Sequence, residues 1–168
     1  MQSAGSPANA TYRAVLASGL AAGGWILLTF AAAAVGSQAG PGAWYAGLTK
    51  PAWNPPNWLF APIWTALYLG MALAAWRVWR QGGWRRQRGP LVLYLVQLAL
   101  NALWSLLFFG LQRPDLALAE ILALWLVIGL TLGWFYQIDR IAGLLFVPYL
   151  AWVSFAAFLN FTLWQLNR

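Results

Sequence analysis

The chain has 168 residues, 62% of them apolar and only 8% charged, with 13 tryptophans. Charged residues make up about a quarter of an ordinary soluble domain, so a water-soluble fold is excluded. Unbroken apolar runs of about 20 residues likewise exclude an outer-membrane barrel of alternating segments of about ten. There is no Cys and no His, which removes disulfides, thiolate chemistry, Cys-ligated metal and the commonest general base and haem ligand.

The net charge of +7 comes from ten Lys and Arg against three acids. A basic balance can mark nucleic-acid binding. Here Arg77, Arg80, Arg85, Arg86 and Arg88 fall in one short loop between apolar runs instead of across a folded face. That placement reads as an orientation signal beside anionic lipid, and nucleic acid is not an expected partner.

Taken in order, residues 1–12 are small and polar and read as a disordered leader. The first membrane helix is predicted over about 13–35. Ala31–Ser37 has the small residues of a signal-peptide cleavage region, which makes partial removal of residues 1–35 the competing reading. The apolar run exceeds the roughly 7–15 residues of a signal h-region and favours a retained span. Gly19 and Gly23 form a small-xxx-small pair that lets helices approach closely; a dimer contact and ordinary membrane-helix composition both remain open.

Residues 36–57 are a loop, opened by Gly36, Gly40, Pro41 and Gly42. Trp44, Tyr45, Trp53 and Trp58 crowd into it and just beyond it, with Lys50 its only charge. Pro51, Pro55 and Pro56 fix φ and remove donors, so the path is extended and turning. So aromatic a loop is unfit for water, and it reads as a rigid lid folded back over a pocket between helices.

The second helix is predicted over 58–79, with Pro62 in its first turns, where a missing donor is best tolerated. Trp64, Tyr68, Met71 and Ala75 share one face of it, while Trp76, Trp79 and Trp84 flank the arginines as interfacial anchors. The third helix, over 90–110, carries Gln97, Asn101 and Ser105 as one polar stripe, bordered by Trp104 and Phe108. Such groups need partners in a lipid-embedded helix. A ligand pocket and helix–helix hydrogen bonding both satisfy that need.

The fourth helix, over 114–136, opens with Arg113-Pro114-Asp115, which suits the macrodipole. Glu120 is expected near the interface and solvated, and with no second acid or base beside it no catalytic role is assigned. The fifth helix, over 140–166, is capped by Asp139 and bent at Pro148. Tyr149, Trp152, Ala156, Leu159 and Asn160 form one face, with small Ala156 leaving room beside the large rings.

Five spans place the termini on opposite sides. Arg13, the five clustered arginines and Arg140 share one side, and Lys50, Arg113 and Arg168 the other. By the positive-inside rule the N-terminus is cytoplasmic and the aromatic loop faces outward. The expected location is the bacterial cell membrane in preference to the outer membrane.

Trp44-Tyr45-x-x-Leu48-x-Lys50-Pro51-x-Trp53-Asn54-Pro55-Pro56-x-Trp58, then Pro62-x-Trp64-Thr65 and Tyr68, resembles the tryptophan-rich sensory protein/translocator protein (TspO/TSPO) family. Gln97 to Arg113 and Val147 to Asn160 agree with it, and the resemblance covers about residues 14–168. It implies a single five-helix membrane domain, often homodimeric, whose pocket is closed by the first loop. It also implies binding of porphyrins and haem, with no obligatory cofactor. The family's ligand-contacting positions match Tyr45, Pro55, Trp64, Tyr68, Asn101, Trp104, Ser105, Trp152, Ala156 and Leu159. Trp53 and Trp58 would belong to the lid and the porphyrin-facing surface. The face argument adds Gln97, Phe108 and Tyr149 and independently picks the same helices, which favours a pocket over helix glue. The family's sterol motif is absent near Phe161 and Trp164. A weaker match at Leu132, Tyr136 and Arg140 is hypothesis-grade, so sterol is not an expected partner.

Three functions follow from that resemblance. The first is a receptor or sensor that holds protoporphyrin IX, haem or related hydrophobic molecules by aromatic stacking, with a role in tetrapyrrole regulation, trafficking or stress response. The second is a light- or oxygen-dependent porphyrin-degrading enzyme in which Trp53, Trp58 and Trp64 supply electrons; no acid–base pair for other chemistry is present. The third is a porphyrin or lipid translocator, for which neither internal repeats nor a charged pathway is visible.

Overall fold

The computed structural model of the chain describes residues 7–168. Their regular structure is entirely helical. Five helical stretches are long and apolar enough to cross a membrane: Val15–Ser37, Asn57–Trp79, Gly83–Gly110, Pro114–Ile138 and Arg140–Leu166. The first span lies in α1 (Pro7–Ser37), and a short α2 (Ala43–Gly47) sits in the connection that follows. A 3-10 turn at Asn57–Leu59 leads into α3 (Phe60–Trp79), and α4 (Gly83–Ser105) is prolonged by a π turn at Leu106–Gly110. The fourth span is α5 (Pro114–Ile138), and α6 (Arg140–Leu144) with α7 (Val147–Leu166) makes the fifth.

The spans run round the bundle in the order first, second, fifth, fourth, third, because α1 packs on α3 and α4, α3 on α6, α5 on α6 and α7, and α4 on α5. Lipid is as apolar as Leu, so burial alone does not drive this packing; shape and internal hydrogen bonds must. The core is accordingly built from small residues that let helices close up, such as Ala72, Ala74 and Ala75 of α3, around large rings. Tyr94 stacks on Phe135 at 6.1 Å and 18°, and Phe146 meets both edge-on. The Tyr94 hydroxyl is satisfied by Thr29, which ties α1 to α4. At the α5–α6 corner a side chain on Gly143 would come within 2.6 Å of the Tyr136 backbone, so only glycine lets the chain turn there.

Several boundaries differ from the sequence reading, each for a local reason. Residues 7–12 of the proposed leader are helical, and its first six residues lie outside the described residues. The arginine-rich connection is not a loop. After a turn in which Gly82 and Gly83 both have positive φ (132° and 64°), α4 starts at once and carries Arg85, Arg86 and Arg88. It kinks at Gln87 (φ −109°, ψ 24°). Pro90 has no donor and clashes with the carbonyl four residues back, which breaks the ladder there and restarts it. Pro148 acts alike in the fifth span, which is interrupted between Leu144 and Val147 instead of merely bent. Asp139 caps α6 as predicted, its Oδ1 accepting from the Ala142 amide at 3.0 Å.

Candidate functional site

A cavity of about 620 Å³ opens between the spans at the end that carries the 38–56 connection. Its walls are Phe30, Ala33 and Ala34 of α1; Phe60, Trp64 and Tyr68 of α3; Asn101, Trp104 and Ser105 of α4; Ile121 and Leu124 of α5; and Trp152, Ala156 and Leu159 of α7. Among the described residues, no charged one lines it. The size and the aromatic lining with few polar groups are those of a small-molecule site.

The rings along the wall are ordered by one another. Trp64 stacks on Tyr68 at 5.4 Å and 30°, and Trp104 on Phe108 at 5.0 Å and 20°. The π turn that follows Ser105 contributes both Phe108 and Phe109 to the wall. In it Leu111 N donates to Leu106 O at 2.8 Å, five residues back, and such turns often mark functional sites.

The polar floor is hydrogen-bonded across four spans. Tyr68 donates its hydroxyl to Asn101 Oδ1, and Asn101 Nδ2 donates to the Tyr149 hydroxyl oxygen at 3.0 Å. One turn further, Trp104 Nε1 donates to Asn160 Oδ1 at 3.0 Å, and Asn160 Nδ2 to the Pro114 carbonyl at 2.8 Å. Ser105 lines the cavity with its hydroxyl unpaired among the described residues.

The lid is tied down at several points. Thr49 N donates to Asn167 Oδ1 at 2.9 Å, and Asn167 Nδ2 returns a bond to Thr49 O at 3.0 Å, which fastens the lid to the end of α7. Trp53 stacks on Phe158 at 5.2 Å and 16°. Tyr45 is buried and donates to Asn54 Oδ1 at 3.3 Å. Burial raises its phenol above the ordinary 10.0 and the Asn54 bond works the other way, so it stays a neutral donor near pH 7. Lys50 Nζ donates to the Ala46 and Leu48 carbonyls, both at 3.1 Å, over the Tyr45 ring. It therefore serves the lid's own fold and is not part of the cavity lining.

Of the residues singled out from sequence, the structure brings Tyr45, Trp64, Tyr68, Asn101, Trp104, Ser105, Phe108, Trp152, Ala156 and Leu159 to the cavity wall. Five stand elsewhere. Pro55 is buried within the lid. Trp53, laid on Phe158 at the bundle surface, is 43% exposed, and Trp58, within the 3-10 turn, is 71% exposed. Tyr149 is wholly buried and supports Asn101 from behind. Gln97, on the predicted stripe, is wholly buried off the cavity, with neither amide atom paired among the described residues. The first span and the α5 wall (Phe30, Ala33, Ile121, Leu124) were not anticipated, since apolar residues in an apolar helix carry no signal of direction.

Glu120 corrects an expectation. It is 9% exposed, not solvated, and both carboxyl oxygens lack a partner among the described residues. Depth along the helix suggested solvent; the face decided otherwise. Glu120 lies with buried Ala117, Ile121 and Leu124 on the inner side of α5.

Comparison with known proteins agrees with this architecture. The model of the TspO/MBR family matches residues 21–165. The "Tryptophan-rich protein TspO" of Chlorobaculum tepidum is 48% identical over 130 residues, 76% of this chain and 82% of the relative. The "Tryptophan-rich sensory protein" of Cereibacter sphaeroides is 44% identical over 149 residues, 85% and 92% of the two chains. The human "Translocator protein" is 39% identical over 127 residues, 74% and 75% of the two. With five membrane-spanning helices, a proline-stiffened aromatic lid and a match along nearly its whole length, the chain belongs to the TspO/MBR family of multi-pass membrane proteins.

Proposed function

We propose that this protein is a membrane receptor that binds porphyrins, protoporphyrin IX or haem, and similar flat hydrophobic molecules in the cavity under the lid. The reading rests on one observation: an aromatic-walled space of about 620 Å³ whose polar groups, among the described residues, are neutral amides, hydroxyls and indoles. Aromatic pairs gain about 0.5–1.5 kcal/mol beyond area burial, so a macrocycle between Trp64 and Trp104 gains most from its π face. The chain has neither His nor Cys to ligate haem iron, so metal-free protoporphyrin is expected to bind about as well as haem. The carboxylates of such a ligand point to the lid edge and water. The charge asymmetry of the connections supports a cytoplasmic N-terminus as part of this reading. The role that fits is sensing or handling of tetrapyrroles in a bacterial cell membrane. Of the tryptophans considered as electron donors only Trp64 lines the cavity, and the neutral lining favours binding over a charged translocation path.

Titration of the detergent-solubilised protein with protoporphyrin IX, read by tryptophan quenching, tests this. Ala156→Phe fills the space between Trp152 and Leu159 and should weaken binding at least tenfold while the melting temperature moves by only a few degrees. Unchanged affinity in that variant would place the ligand outside the cavity and end the proposal.

A further inference from the structure

A second concavity lies on the outer surface, at the opposite end of the bundle from the lid. It is a groove of about 260 Å³ between α1 and α3, lined by Ala21, Gly24, Trp25, Leu28 and Trp79. A side chain on Gly24 would meet nothing within 4 Å. At its end stand the arginines. Arg80 lies over the Trp76 ring at 4.8 Å, and Trp76 Nε1 donates to Ser18 O of α1 at 3.0 Å, so this guanidinium sits at the α1–α3 seam. In the turn that follows, a side chain on Gly82 would run into Arg86, and one on Gly83 would come within 3.9 Å of Trp79 Nε1. Arg80 thus follows directly on Trp79 of the groove lining, and Arg86 reaches back to the turn that joins α3 to α4.

Most of these charges are left without an ion pair among the described residues. Arg77 is neutralised by Asp139 at 2.9 Å. Arg80, Arg85, Arg86 and Arg88 have no ion-pair partner among the described residues, and Arg80 and the three on α4 are exposed. A topology signal needs only charge on one side of the membrane. It does not need an arginine seated on an indole beside a smooth apolar groove. Basic pockets between helices at the membrane surface hold anionic lipid headgroups, and guanidinium is the group suited to bidentate phosphate recognition.

We propose that this groove is a binding site for one anionic phospholipid, its phosphate between Arg80 and Arg86 and one acyl chain lying along Ala21, Gly24 and Leu28. Charge complementarity selects the anionic headgroup, and glycine and alanine on α1 supply the smooth bed for the chain. The site is separate from the cavity under the lid and does not depend on what that cavity binds.

The test is native mass spectrometry of the full chain released from mixed phosphatidylglycerol/phosphatidylcholine micelles, together with thermal shift on titrating each lipid. One phosphatidylglycerol per chain should be retained in preference to phosphatidylcholine, and the preference should fall as salt rises. Arg80→Gln with Arg86→Gln should cut the preference about tenfold or more, at about fivefold per arginine near the surface. Gly24→Leu should cut retention with all arginines in place; its added side chain meets open space, so the fold is kept. Loss with the arginine pair but full retention in Gly24→Leu would mean diffuse attraction without a groove and would overturn the proposal. So would full protection by inorganic phosphate alone, or an undiminished preference in the double arginine variant.

Discussion

At the scale of single residues, Asn101 and Ser105 separate two roles that their common stripe conflates. Asn101 joins Tyr68 and Tyr149, and its removal leaves two phenols inside the bundle without their partner. Each such loss costs about 1–3 kcal/mol. Asn101→Leu should therefore destabilise by roughly 2–6 kcal/mol and weaken ligand binding as well. Ser105 bonds nothing in the described structure and faces the cavity. Ser105→Ala should leave stability within about 0.5 kcal/mol yet change the affinity of any ligand with a polar edge. Paired melting curves and porphyrin titrations on both variants decide it, and equal effects of the two would sink the distinction. Glu120 gives a sharper case. A carboxyl in the bundle without a partner is a cost, and an apolar residue of similar size removes it. Glu120→Met should raise the melting temperature; a fall would show that the carboxyl holds a bound water or ligand.

At the scale of elements, the corner between the fourth and fifth spans is held by charge. Asp139 caps α6 through the Ala142 amide and receives Arg77 from α3, Nε at 3.1 Å and Nη2 at 2.9 Å. Burial of the carboxyl pushes toward protonation, but the Arg77 hydrogen bond, the Ala142 amide and the Arg77 charge outweigh it. The group is held below its ordinary 3.8. Because the folded value is the lower one, the stabilisation is complete above the unfolded value and is lost as pH falls through the folded one. Melting temperature should hold steady down to about pH 4 and then decline, with Asp139→Asn flatter in that range and lower at neutral pH. A wild-type decline starting well above pH 4 would assign acid sensitivity to another group. The same corner shows what a sequence discloses. Asp139 as a cap and Pro148 as a point of disruption were legible because a carboxylate before a helix and an imino acid inside one each act locally, although a bend was expected at Pro148 and the helix is interrupted there. The kink at Gln87, the π turn at Leu106–Gly110 and the inward face of Glu120 were not. They depend on which side of a uniformly apolar cylinder meets protein, and lipid-facing helices lack the polar side that would reveal it. The cavity residues were legible for a related reason: Asn101, Ser105, Trp64 and Trp152 are costly or bulky enough in a membrane to need a purpose.

At the scale of the whole molecule, α1 is the span least engaged by the rest of the chain. Its buried seam is narrow, comprising Trp25, Thr29 and Gly36, while Leu16, Leu20 and Leu27 face outward. Exposure to lipid is ordinary for a membrane helix, so it does not by itself call for a partner. Gly19 and Gly23 add a reason, because a side chain on either would meet nothing within 4 Å. Glycines four residues apart on a bare face let two backbones approach closely, where packing and weak hydrogen bonds replace the missing hydrophobic drive. At about 100° per residue this face lies on the far side of α1 from Ala21, Gly24 and Leu28, so a second copy could dock there without covering the lipid groove. We therefore expect a homodimer through α1, with Leu16, Leu20 and Leu27 flanking the glycines. Gly19→Ile with Gly23→Ile should yield monomers by light scattering in detergent, since branched side chains would hold the helices apart. The monomer should keep its melting transition, because neither position touches its own bundle. If the double variant stayed dimeric, the contact would lie on another span and the glycines would be packing-neutral.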